Sequence, residues 1–435
     1  MLQQFKDYID QQHLFSSGEE VLLAVSGGRD SVCLAHLMHE AGYRFAIGHC
    51  NFHLRPGDCD RDQDFVRQLA SRLAVPFHTV DFDTCNYAAA HGQSLEESAR
   101  TLRYGWFADL CHQQDYSCVV TAHHADDAIE TFFLNLFRGT GIAGLHGIRP
   151  LQRLSFNSLP VTVVRPMLAF PRAAIDAYVD EHALPYVEDS TNALLEARRN
   201  RIRHRLMPLL RELYPGVDAT MQGNMQRLAD TEVIFSAAVD QLRQRLVVPF
   251  VSRVPTVRFP VERILVTAIP EPRRTLLYEF LRPYGFNVAV VDDILRNPTA
   301  VGSRFRTHTH QAVIGRHGLY VAARVEPVAP ILVEEEDARF APGTASVLVD
   351  ADSLQRPLSL RLWQPGDRYY PLGMTHRRLV SDAMKDRGLN RIEREHVFVV
   401  VDAADRIVWV VGVGIDNRFR LENTTQHVAR LSVKA

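Results

Sequence analysis

At 435 residues the chain is too long for one ordinary core and predicts two or three domains. Hydrophobic residues at 46% and charged residues at 23% are globular values, and no uninterrupted apolar run is long enough to cross a bilayer, which excludes a membrane-spanning helix. A formal net charge of −2 does not announce a nucleic-acid partner, so any such partner must be met by local clustering of charge.

The first residues, MLQQFKDYIDQQHLF, lack the basic-then-apolar layout of a secretory signal, which predicts a cytoplasmic address. Apolar or β-branched runs then alternate with helix-like stretches, and strands are predicted at Val21–Val25, Phe45–Cys50, Phe77–Phe82 and Ser117–Ala122. Such alternation predicts an α/β fold, a doubly wound and mostly parallel sheet with helices on both faces, over a first domain of residues 1–215. After Tyr214-Pro215-Gly216 the apolar period turns helical through Met221, Met225, Leu228, Val233, Ile234, Leu242 and Leu246. A mainly helical middle domain is therefore predicted over residues 216–330, with strand-like pieces at Ala312–Ile314 and Leu319–Ala323. The stretch Arg324–Pro342, with prolines and the acidic run Glu334–Asp337, reads as a linker or exposed edge. A small α/β domain follows over residues 345–435, with strands at Val397–Val401 and Ile407–Val411 and a helix around Leu379–Arg387.

The six cysteines all lie in the first third and none forms Cys-x-x-Cys. That spacing argues against a disulfide framework, a zinc ribbon and a thioredoxin-type pair, and leaves buried thiols in a reduced compartment.

The first strand feeds Ser26-Gly27-Gly28-Arg29-Asp30-Ser31 and then an apolar helix. Free backbone N–H groups at a helix start make an anion site, the glycines allow a phosphate close approach, and Ser26 and Ser31 add hydroxyl donors. Asp30 would repel phosphates unless a cation intervened, which makes it the candidate Mg²⁺ ligand or a polar catalytic group. No Gly-Lys-Ser/Thr follows, so this is not the Walker loop. At the carboxyl end of the fourth strand stands His123-His124-Ala125-Asp126-Asp127-Ala128-Ile129-Glu130-Thr131. Asp127 and Glu130, three apart on a helix, can face one cleft and hold Mg²⁺ or accept a proton from an amine, while Asp126 and Asp127 also suit helix capping. Arg100 and Arg103 stand one helical turn apart as a phosphate clamp, or as an ordinary solvated face. In Arg198-Arg199-Asn200-Arg201-Ile202-Arg203-His204-Arg205, five arginines in eight residues repel one another unless a polyanion neutralises them.

SGGRDS resembles the loop of the PP-loop ATP pyrophosphatase family. SGGRDS, HHADDAIET, Arg138-Gly139-Thr140-Gly141, Asp189-Ser190-Thr191-Asn192 and the arginine run, taken in this order, resemble the tRNA(Ile)-lysidine synthetase family within it. Gln364-Pro365-Gly366-Asp367-Arg368, Pro371-Leu372-Gly373 and Gly412-Val413-Gly414-Ile415-Asp416 are similar to that family's C-terminal domain. In two places the pattern departs: Phe52 follows Asn51 where many members have His, and Ala128 stands where Gln is common.

The resemblance implies ATP and L-lysine as substrates, Mg²⁺ as cofactor, and an isoleucine tRNA with a CAU anticodon as partner. Its wobble cytidine would be adenylated and then joined to lysine; a homodimer is a candidate assembly. It implies catalytic roles for Asp30, Asp127 and Glu130, and ATP contacts from Ser26, Gly27, Gly28, Arg29, Asp30, Ser31, Arg100 and Arg103. Contacts to tRNA would come from Asn51, His53, Arg55, Arg199, Asn200, Arg203, Arg205, Arg377 and Arg378. Two alternatives stay open: a thiolating relative, against which the missing Cys-x-x-Cys counts, and a non-catalytic nucleotide-sensing RNA-binding protein.

Overall fold

A computed structural model describes residues 1–53, 58–156, 158–187, 197–336, 343 and 345–434. The chain divides into two compact units, Met1–Ile234 and Phe235–Ala435.

The first unit opens with helix α1 (Leu2–Gln11) and then alternates β1 (Glu20–Ala24), α2 (Arg29–Ala41), β2 (Arg44–Asn51), α3 (Asp58–Leu73) and β3 (Phe77–Asp81). Helices α4 (Thr84–His91) and α5 (Leu95–Gln114) precede β4 (Val119–Val120) and α6 (Ala125–Arg138). A hairpin of β5 (Leu151–Phe156) and β6 (Leu159–Val164) leads to α7 (Arg172–Glu181), α8 (Ala197–Arg201), a π-helical turn at Ile202–Leu206, α9 (Met207–Leu213) and the start of α10 (Val217–Leu246). The sheet runs β3-β2-β1-β4-β6-β5, parallel throughout except for the β5–β6 pair at its edge. Val21, Leu22 and Leu23 of β1 are wholly buried, as a central strand covered on both faces requires. Val32, Leu34, Leu37 and Met38 of α2 pack beside β1 in the same core. From β1 the strand order departs in opposite directions toward β2 and β4, so the carboxyl ends of β1 and β4 flank the crevice where doubly wound sheets bind ligands. All four strands expected here are present, the fourth trimmed to Val119–Val120.

In the second unit, the remainder of α10 and helices Arg273–Leu281 and Val288–Arg296 outweigh a five-stranded antiparallel sheet built from Val247–Phe250, Val261–Ile264, Gly318–Ala323, His310–Gly315 and Arg304–Arg306. Leu277, Phe280, Val291 and Ile294 pack onto Ile314 and Val321 of that sheet. The last part is rich in strands. Ile331–Glu336, Val428–Lys434 and Ser346–Asp350 form one sheet, Ser359–Leu362, Phe398–Val401, Ile407–Val410 and Gly414–Ile415 another, and Trp409, Phe419 and Leu431 share the core between them. The stretch read as a linker or exposed edge thus supplies an edge strand, whose glutamates blunt further pairing. Among the described residues no helix is long and apolar enough to cross a membrane.

Candidate active site

The loop after β1 is shaped by Gly27, whose φ of +92° is open to glycine at little cost and whose carbonyl accepts the N–H of Val187 at 3.0 Å. Gly28 is the N-cap of α2, so the first amides of a 13-residue helix point into the loop. Ser31 Oγ donates to the Gly28 carbonyl at 2.9 Å, and Ser26 Oγ lies 3.3 Å from Ser31 Oγ. Both hydroxyls are therefore held at the mouth of the loop.

Asp30, on the first turn of α2, accepts from Arg172 Nη1 at 3.1 Å through Oδ2. Its other oxygen, Oδ1, is buried and has no hydrogen-bond partner. Burial raises the Asp30 carboxyl above its ordinary range, against the pull of His124 and Arg172. An orphaned carboxylate oxygen beside a phosphate-type loop fits one Mg²⁺ ligand. Among the described residues no group of three His, Cys, Asp or Glu side chains could hold a metal unaided, so such an ion would take its other ligands from phosphates and water.

His124 sits between the carboxylates. Its Nε2 lies 3.9 Å from Asp30 Oδ2 and 3.4 Å from Asp127 Oδ2, and the residue is 2% exposed. Asp127 also caps α6 by accepting the His124 N–H at 3.1 Å. Burial works to raise the Asp127 carboxyl, but His124, His123 and Arg199 outweigh it and hold it below the usual carboxylate range. Asp127 is thus an ionised carboxylate facing the loop.

Glu130 lies one turn on and is 1% exposed. Arg199 Nε reaches its Oε2 at 2.8 Å, while Arg203 reaches Oε1 through Nε at 2.6 Å and Oε2 through Nη2 at 3.0 Å. The same guanidiniums approach Asp127 Oδ1 at 3.5 and 3.3 Å. Two members of the arginine run, four residues apart where α8 passes into the π-helical turn, therefore fold onto the chain's own carboxylates. The mutual repulsion that called for a polyanion is partly met inside the fold.

These groups line a cavity of about 580 Å³, within the range of nucleotide-sized sites, bounded by Ser26, Gly28, Asp30, Arg103, Asp127 and Arg203 among others. A neighbouring cavity of about 740 Å³ is lined by Arg100, His146, Arg149, Gln152, Arg153 and Arg165. His123 and Arg199 line both. Burial lowers the His123 imidazole to about 4 against the pull of Asp127, with Arg165, Arg199 and Arg103 adding to the lowering, so it is neutral near pH 7. Arg100 and Arg103, expected to share a phosphate, line different cavities: Arg103 lies over the Phe52 ring at 5.1 Å and Arg100 over Tyr104 at 4.9 Å. Phe52, at the departure from the family pattern, is thereby the platform under Arg103.

Several participants carried no local signal. Arg172 and Asp176 on α7, with Tyr186, reach the loop from about 140 or more residues away: Asp176 accepts from Arg29 Nη1 at 2.7 Å and from Arg172 Nε at 2.9 Å, and Tyr186 hydrogen-bonds Arg29. Arg29, expected on ATP, is thus fixed by the protein itself. His123 and His124 lay inside a motif already singled out, and only the fold gives them places.

Family models extend this reading along the chain. A model described as the PP-loop domain matches residues 1–210, one described as the TilS substrate binding domain matches 256–324, and one described as the TilS substrate C-terminal domain matches 358–433. A tRNA(Ile)-lysidine synthase of Bacteroides thetaiotaomicron is 35% identical over 431 residues, 97% of each chain. The chain belongs to the tRNA(Ile)-lysidine synthase family. Another member, from Parabacteroides distasonis, is 36% identical over 449 residues, 98% of each chain.

The residues expected to meet RNA in a tRNA(Ile)-lysidine synthase are dispersed. Asn51 is 2% exposed; its Oδ1 accepts the His53 N–H at 3.1 Å and its Nδ2 donates to Gln63 at 3.2 Å, so it shapes the turn that presents His53. His53 is exposed, with Nε2 2.9 Å from Asp81 Oδ1. Arg205 is exposed and Asn200 half-buried. Arg377, over the Tyr370 ring at 5.5 Å, and Arg378, paired with Asp386, belong to the second unit. Arg55 and Asp189-Ser190-Thr191-Asn192 lie outside the described residues.

Proposed function

We propose that this chain joins the amine of L-lysine to C2 of the wobble cytidine in the CAU anticodon of an isoleucine tRNA, by way of an adenylated cytidine. The broader class, a ligase that uses ATP to form a carbon–nitrogen bond, follows from the family. The observation that carries the finer reading is the pair of cavities meeting at His123 and Arg199. One takes a nucleotide on the phosphate loop, and the other brings a second reactant to the same wall.

In this reading cytosine O2 attacks the α-phosphate of ATP, and pyrophosphate leaves. The lysine amine then attacks C2, and AMP departs with O2. Ser26, Gly27, Gly28 and Ser31 bind the pyrophosphate portion, and Asp30 would hold a Mg²⁺ there. When bound, that ion neutralises charge developing on the leaving pyrophosphate. Asp127 binds the lysine ammonium and takes up a proton as the amine attacks. Glu130 acts through Arg199 and Arg203, holding both guanidiniums toward the reacting phosphate, which makes it a positioning residue. Arg103 stacked on Phe52 completes the nucleotide wall, while Arg100 and Arg205 offer charge to the RNA. The cytosine must leave its stack to react, as expected for RNA read through splayed loop bases. The outcome would be a codon preference moved from AUG to AUA and an identity moved from methionine to isoleucine. Homodimer formation belongs to the proposal and is decided by sedimentation of the full chain.

Exchange of labelled pyrophosphate into ATP, without lysine, tests the first step. Exchange is expected only when a CAU isoleucine tRNA is present. Exchange in the absence of RNA, or with any tRNA alike, would contradict the reading and favour a different acceptor for the adenylate.

A further inference from the structure

Asp176 of α7 does not line the nucleotide cavity, but one of its oxygens holds two guanidiniums that do. Its Oδ1 accepts from Arg29 Nη1 at 2.7 Å and from Arg172 Nε at 2.9 Å. Burial works to raise the Asp176 carboxyl, but Arg29 and Arg172 outweigh it and hold it below the usual carboxylate range, so it is ionised near pH 7.

The two arginines differ in what they have left. Arg29 spends Nη1 on Asp176 and Nη2 on the Tyr186 hydroxyl, with its guanidinium 4.5 Å from the centre of the Tyr186 ring. Arg172 spends Nε on Asp176 and Nη1 on Asp30 Oδ2 at 3.1 Å, and among the described residues its Nη2 meets no acceptor. The backbone of Arg172 is fixed as well: its N–H donates to Asp126 Oδ2 at 2.8 Å, and Asp126 Oδ1 is held by Arg211 at 2.6 Å. A planar guanidinium pinned at two of its three nitrogens has the direction of the third settled. Because Nη1 is on Asp30, in the first turn of α2, the spare Nη2 lies next to the helix start where the loop offers its amides.

We propose that Arg172 Nη2 binds the pyrophosphate portion of ATP and steadies its charge as it leaves, and that Asp176 is the positioning residue that aims Arg172 there. The bond between the α-phosphorus and the bridging oxygen breaks, its electron pair goes to pyrophosphate, and Arg172 donates a hydrogen bond to that group without giving up a proton. The inference rests on the reading above for the reaction in which pyrophosphate leaves. Binding of pyrophosphate itself needs neither lysine nor RNA.

Titration calorimetry on the full chain, with Mg²⁺ present throughout, compares inorganic pyrophosphate with AMP. The proteins are the unaltered chain, Arg172→Gln, Asp176→Ala and the double variant. AMP lacks the β- and γ-phosphates and reports on the rest of the cavity. Pyrophosphate affinity is expected to fall about tenfold in Arg172→Gln and about threefold in Asp176→Ala, with AMP affinity unchanged. The double variant is expected to bind pyrophosphate no worse than Arg172→Gln, because Asp176 acts only through Arg172. Losses that add would give Asp176 a separate structural role and overturn the positioning claim. Unchanged pyrophosphate affinity in a folded Arg172→Gln, or an equal fall for pyrophosphate and AMP, would remove Arg172 from the leaving group. If Arg172→Gln does not fold, Arg172→Lys takes its place in the cycle, since one ammonium cannot meet Asp176, Asp30 and an anion in a fixed plane. Should the unaltered chain release pyrophosphate only with some other RNA, the lysine reading would fail, and the calorimetry would still decide for or against Arg172 and Asp176.

Discussion

Asp127→Asn is expected to leave the chain folded, with a melting temperature lowered less than by Glu130→Gln, and to slow single-turnover lysine transfer by about 10³-fold, the middle of the range for a positioned acid or base. Asparagine retains the shape of the side chain and an oxygen for the His124 N–H that Asp127 accepts at 3.1 Å. It removes the negative charge that His124 and Arg199 stabilise. The ammonium of lysine would lose its counter-charge and its proton acceptor together. Thermal melting and a rapid-quench assay on the same preparation separate the two expectations, and a folded variant with a normal single-turnover rate would remove Asp127 from the chemistry.

Glu130→Gln should behave differently. Its carboxylate is 1% exposed and receives Arg199 and Arg203 at 2.6 to 3.0 Å, so the substitution leaves two arginines facing an amide that cannot neutralise them. Breaking a buried pair from one side costs about 3 kcal/mol or more. Urea denaturation should show that loss, and activity should fall because Arg199 and Arg203 no longer hold their places. A variant of normal stability that had nonetheless lost turnover would make Glu130 a catalytic group in direct contact with substrate. The contrast between the two carboxylates is therefore measurable.

That contrast also marks what could be read before folding. The spacing of Asp127 and Glu130 correctly placed both on one side of α6. It said nothing of depth, because burial at Glu130 depends on which chain segment packs over that turn. The arginine run was legible as an excess of positive charge needing an anion. Part of the anion turned out to be Asp127 and Glu130, about 70 residues earlier in the sequence. The backbone shape of the loop after β1 was legible, since its glycine conformation, helix start and hydroxyls are local properties, but the partners of Arg29 and Asp30 were not. Arg172, Asp176 and Tyr186 were not, because residues about 140 or more positions away acquire a common purpose only through the sheet order. Asn51 illustrates the converse. A polar residue at a strand end looks available to a ligand, but here the turn it begins consumes its hydrogen-bonding capacity.

If ATP chemistry at the β1 loop is spent on joining lysine to a CAU anticodon, labelled lysine enters unmodified isoleucine tRNA. The assay is run with and without ATP, beside a tRNA carrying another anticodon. Label that requires ATP and appears only in the CAU tRNA is the expected result. No label in that tRNA, with pyrophosphate released in the presence of some other RNA, would contradict the claim while leaving the loop's ATP chemistry in place.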